Sequence, residues 1–179
     1  MRRTQQMLAD TVKAQSIDLL NMQLAAAIDL HGQVRQARWN VRGPGCSVVY
    51  DLFDRIAAEI ASACDALAQR ARVLGGVAHG TIQIAAQHSV LAGYRLGIAS
   101  QRAHMQAVAN ILAGFDVAVQ GAIHQAAAIG DGLTAALFSE ISRGIDQQLW
   151  LVESHIAWQM IQRPAHDMRV STILAFAPG

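Results

Sequence analysis

Tyr50 and Asp54 stand one helical turn apart, and Asp65 and Gln69 repeat that spacing farther along the chain. Oxygen donors at intervals of four fall on one helix face, and carboxylates grouped on one face can gather a metal ion. Asp54 and Asp65 are eleven residues apart, three helical turns, so they point the same way. At 1.5 Å per residue they lie about 16 Å apart along the axis, too far to share an ion within one chain. Two antiparallel copies about a two-fold axis would bring Asp54 of one to Asp65 of the other. Solvated surface carboxylates would show the same spacing, so geometry alone leaves both readings open. The histidines add little. His79, His88, His104 and His124 have no second histidine or carboxylate at ligand spacing, the separation of His124 from Asp116 being too long. His155 follows Glu153 by two residues and cannot share its face.

Helices must position these groups. Breakers divide the chain into four long stretches, the first over about residues 4–41 and ending at Gly43-Pro44-Gly45. The second starts near Ser47, a suitable N-cap, and ends at Gly75-Gly76. A short helical piece over about residues 81–88 lies in the connection that follows. The third stretch covers about residues 98–129 and ends at Gly130; the fourth runs from Asp131 or Thr134 to Gln162, before Pro164. Apolar stripes at spacings of three and four run through them: Leu20, Leu24, Ala27 and Val34, then Phe53, Ile56, Ile60 and Leu67, then Ile141, Ile145, Val152 and Ile156. Helices of this length span about 45 Å. The pattern predicts an all-α four-helix bundle over residues 1–162, with a long crossover carrying a short helix. Residues 163–179 form a C-terminal tail whose apolar run, residues 170–176, is expected to pack on the body or a neighbour.

Of the 179 residues, 53% are hydrophobic and only 15% charged, which is less charge than a monomer's surface usually carries. No purely apolar run of about 18 residues is present, so a large subunit interface explains the composition better than a membrane does. The N-terminal residues lack a signal peptide's apolar segment, and Cys46 and Cys64 imply no disulfide framework; both point to a reducing cytoplasm. A net charge of +1 announces no nucleic-acid partner.

Several segments together resemble the Dps family of ferritin-like proteins. Arg38-Trp39-Asn40-Val41-Arg42-Gly43 is similar to its H-W-N-V-x-G motif. Leu52-Phe53-Asp54, Asp65 through Arg70, and Leu74-Gly75-Gly76 through Thr81 resemble L-F-D, D-x-x-A-E-R and L-G-G-x-x-x-G-T in order and spacing. The resemblance covers about residues 15–158. It implies a ferritin-like bundle, a shell of twelve subunits, oxidation of Fe(II) with peroxide, storage of ferric mineral, and in many members DNA binding. The family's ferroxidase site spans a two-fold interface. One subunit supplies the histidine before Trp-Asn, a second histidine and the aspartate of L-F-D; the other supplies Asp and Glu of D-x-x-x-E.

Carried over residue by residue, the first histidine is Arg38, the second Tyr50 and the glutamate Gln69; only Asp54 and Asp65 remain. Arginine has no lone pair to offer iron. The expectation is a cage whose ferroxidase activity is reduced or absent, with Asp54 and Asp65 unoccupied and no cofactor beyond the iron that the resemblance implies. The alternative is a working ferroxidase built unconventionally from Asp54, Asp65, Tyr50 and His31, which shares the face of Arg38. Trp39 fits the family's aromatic beside the site and could equally be a buried anchor. Arg38 is expected to replace the cation, approaching Asp65 of the neighbouring subunit. The family's acidic entry pore is reduced here to Asp131 and Glu140, with Ala136 where an acidic residue is common. Arg2, Arg3, Arg163 and Arg169 supply only weak, salt-sensitive DNA binding. A DNA-compacting role without iron, and co-assembly with an active paralogue, also stay open.

Overall fold

Apolar stripes need surfaces to cover them, and the helices of the computed structural model cover one another. It describes the backbone of residues 8–174 and the side-chain surroundings of residues 8–159. Five helices follow in order: α1 (Asp10–Asn40), α2 (Cys46–Val73), α3 (Ile82–His88), α4 (Gln101–Ala128) and α5 (Gly132–Leu174). No strand occurs among the described residues. α1 packs on α2 and α4 on α5, and the two pairs meet mainly along α1 and α4. The expected stripes form the core: Leu20, Leu24 and Val34 of α1, Phe53, Ile56 and Ile60 of α2, and Ile145 and Val152 of α5 are buried. α4 closes it with Val108, Leu112, Phe115 and Val119. α4 is long and apolar enough to cross a membrane, but here its apolar stripe is the inside of the bundle.

The crossover carries α3, as the sequence predicts, and α1 holds it through side chains that stand in for missing backbone partners. The Asn21 amide donates to the Val77 carbonyl (3.0 Å) and accepts from the His79 N–H (2.9 Å). Asp29 accepts from the Ser89 hydroxyl, and Gln33 Nε2 donates to both Asp29 (3.0 Å) and the Ala92 carbonyl (3.1 Å). Gly76 is needed for a separate reason: a Cβ there would sit 2.7 Å from the Ile17 side chain.

Several boundaries differ from expectation: α1 starts at Asp10 and not near residue 4, and α4 starts at Gln101 and not near residue 98. Ser47 lies inside α2 and is not its cap. The helix starts at Cys46 behind Gly45, whose left-handed φ of 71° turns the chain without a side-chain cap. The last helix does not stop before Pro164 but continues to Leu174. A proline removes its own hydrogen bond and crowds the carbonyl four residues back, which kinks a helix without always ending it. Residues 163–174 therefore extend α5 instead of forming a separate tail, while the packing of the apolar run at residues 170–176 lies outside the described side chains.

Candidate functional site

His31, Arg35 and Arg38 follow at four and three residues and share one face of α1. Opposite them, Ala57, Ala58 and Ala61 keep the wall of α2 low, and an open groove of about 760 Å³ lies between the helices. Asp54 of α2 stands in it. Arg38 Nε donates to Asp54 Oδ2 at 3.0 Å, and Arg35 Nη1 donates to Asp54 Oδ1 at 3.2 Å. Both carboxylate oxygens therefore carry a guanidinium partner. All three side chains keep substantial exposure, so solvent screens the pairs and each stabilises the single chain only modestly.

Aromatic rings fix the two guanidinium groups. Arg38 Cζ lies 3.9 Å from the centre of the Tyr50 ring, and Arg35 Cζ lies 5.5 Å from that of Trp39, both within cation–π range. The Tyr50 hydroxyl donates to the Val41 carbonyl at 3.0 Å. A hydrogen bond with the Cys46 thiol, and then burial, raise the Tyr50 pKa above its ordinary value, outweighing Arg38 and Arg42. The phenol stays protonated near neutral pH. Burial, and then the nearby Arg35, lower the pKa of His31, which keeps its imidazole neutral there. Two guanidinium charges face one carboxylate, and the groove presents N–H donors where a cation site would present lone pairs.

The structure thus brings together Arg38, Tyr50, Asp54, His31 and Trp39. Asp65 and Gln69 stay apart, exposed farther along α2. Trp39 is not a buried anchor in the single chain: it is 64% exposed, with its ring lying beside Arg35. Among the described residues, no three His, Cys, Asp or Glu side chains cluster closely enough to hold a metal ion. Arg35 is the member that sequence reasoning missed. Its spacing from His31 and Arg38 placed it on the same face, but a search for metal ligands passes over arginine. Cys46, one turn before Tyr50, was missed in the same way.

Asp131 differs from its expected place at a pore. It is 1% exposed and caps α5, accepting from the Thr134 N–H at 3.1 Å. Arg70 of α2 donates to its Oδ1 at 2.8 Å and to Thr134 Oγ1 at 3.0 Å. Burial alone would raise its pKa, but the Thr134 hydrogen bonds and Arg70 prevail and hold the carboxyl below its ordinary range. A carboxylate enclosed in this way does not face a channel. Glu140 is exposed on α5.

A ferritin-like domain model matches residues 17–160. The chain is 31% identical to the DNA protection during starvation protein of Agrobacterium fabrum over 154 residues, covering 86% of this chain and 95% of that one. DpsA14 from Streptomyces coelicolor superposes with a TM-score of 0.76 at 29% identity, covering 80% of this chain and 85% of that one. Dps from Mycobacterium smegmatis gives a TM-score of 0.78 at 24% identity, covering 83% and 84%, which supports the fold alone.

Replacing Arg70 with alanine should leave Asp131 charged and enclosed without its ion pair, costing roughly 3 kcal/mol in urea unfolding. The sign with pH follows from the lowered pKa of Asp131. Its contribution is complete above the unfolded carboxyl value of about 3.9 and is lost as pH falls through the lower folded value. The stability gap between the natural protein and Asp131→Asn should therefore shrink on acidification. A gap that stays constant down to about pH 2 would contradict this role for Asp131.

Proposed function

The chain belongs to the Dps family of ferritin-like proteins, and from that premise we propose that it builds a protective Dps-type shell with an altered ferroxidase centre. At that centre an arginine–carboxylate cluster takes the place of the metal site, so little or no Fe(II) is oxidised. The observation that carries this reading is the double ion pair on Asp54, at 3.0 and 3.2 Å. Fe(II) as substrate needs carboxylate oxygens and neutral imidazoles with free lone pairs. Here Arg38 stands at the position of one histidine, Tyr50 at the other holds a protonated phenol, and Gln69 replaces the glutamate. The remaining donors do not fit the ion.

The substitutions are consistent with one another. Asp54 and the Asp65 of a second copy, brought together across a two-fold axis without a metal, would repel. A guanidinium supplies positive charge and several donors, and can bridge two carboxylates. Arg35 and Arg38 each use one N–H on Asp54 and keep others for Asp65 of the second copy. Gln69 removes a further negative charge. The low charged fraction of 15%, together with exposed Trp39, Val73, Val77 and Ile82, supports extensive subunit contact. Light scattering on the purified protein should give a mass near twelve subunits, and a stable monomer at micromolar concentration would contradict the shell.

Fe(II) oxidation, followed optically after peroxide addition, should be at least about tenfold slower than in a relative with all five ligands. The combined substitution of Arg38→His, Tyr50→His and Gln69→Glu should recover much of that rate. Wild-type oxidation as fast as the relative's would favour the unconventional ferroxidase instead.

A further inference from the structure

A second groove, of about 610 Å³, opens at the end of the bundle where the α1–α2 turn and the start of α4 meet α5. Pro44, Val48, Val49 and Trp158 wall it, Gln101 and His155 edge it, and no arginine, lysine or carboxylate lines it. Val48 is 54% and Trp158 60% exposed, so two large apolar side chains of one groove stand uncovered in the single chain. We propose that this groove receives the apolar C-terminal segment, residues 170–176, of a second copy of the chain. The proposal rests on the subunit contacts of the shell and names the one that the end of α5 makes.

The helix lengths point to the occupant. α1, α2 and α4 have 31, 28 and 28 residues, whereas α5 has 43. α5 packs on α4 and α2, and both of those helices begin level with Trp158, beside the groove. Residues 160–174 therefore carry α5 about 22 Å past the ends of its partners. A helical segment that short is marginal in water unless another surface packs against it. The chain's own end cannot return to the groove. From Trp158 to Leu174 the helix covers about 24 Å, and a kink at Pro164 bends that path without reversing it. Phe176, two residues farther on, can come back by only about 7 Å. A second copy is under no such restriction.

The chemistry of the two surfaces matches. Val170-Ser171-Thr172-Ile173-Leu174-Ala175-Phe176 carries no charge, so no ion loses its hydration when the segment enters a groove without charged walls. Covering Val48 and Trp158 with its large side chains takes apolar surface out of water on both sides.

Disulfide trapping in the full-length protein tests this, because two cysteines join only when their Cα atoms come within about 7 Å. Val48→Cys and Phe176→Cys are introduced together, with Cys46→Ser and Cys64→Ser removing the natural thiols, and the protein is mildly oxidised. A denaturing gel without reductant should show chains linked to one another, as covalent dimers and longer ladders. Glu140→Cys in place of Val48→Cys, exposed nearer the other end of α5, should link several-fold less. A link closed within one chain, running as a monomer, would overturn the second copy as occupant. No link in protein that light scattering shows to be assembled would overturn the docking and spare the shell; no link in a stable monomer would overturn both. A second measurement needs no cysteine. Val48→Asp and Phe176→Asp should each lower the melting temperature by about 2–4 °C, and the double variant no further than the larger single change. Additive shifts would overturn the contact.

Discussion

Everything distinctive about the α1–α2 face depends on how the charge of Asp54 is met. A carboxylate between two helices can be neutralised by a metal, by a proton or by a cationic side chain, and the choice decides what chemistry the groove can do. Here two arginines from one face of α1 take both of its oxygens. Tyr50 and Trp39 hold those arginines from the other side, so the cluster is assembled within one chain before any partner arrives. A site organised around donors receives carboxylates and repels cations.

The bundle makes this possible because α1 serves both sides of the molecule. Its buried stripe packs on α2 and α4, while Asn21, Asp29 and Gln33 tie down the crossover. Its outward residues, His31, Arg35 and Arg38, are left to line the groove. At the other end of α2, Arg70 joins that helix to the start of α5 through Asp131 and Thr134. Arginine thus meets the enclosed or half-enclosed carboxylates at both ends of α2, which fits a chain whose only lysine is Lys13.

Much of the fold was legible because burial of a helix face is local information. The stripes through Leu20, Phe53 and Ile145 repeat at helical spacing, and glycine or proline marks most of the ends. What failed was also physical. Gly45 starts α2 by its backbone conformation and not by a capping hydroxyl, so Ser47 misled. Pro164 interrupts hydrogen bonding without ending α5. At the site, Tyr50 and Asp54 were found by their helical spacing and Arg38 by its family position, and the structure brings the three together. Arg35 was missed because its type, and not its spacing, disqualified it as a ligand. The Arg70–Asp131 pair joins residues 61 apart in the chain, which no local pattern could announce.

Anaerobic calorimetric titration of Fe(II) into the assembled, metal-free protein tests most directly whether the arginine pair has taken the cation's place. No saturable uptake is expected, and Asp54→Ala should leave the trace unchanged. A tight, stoichiometric Fe(II) site that disappears in Asp54→Ala would contradict it.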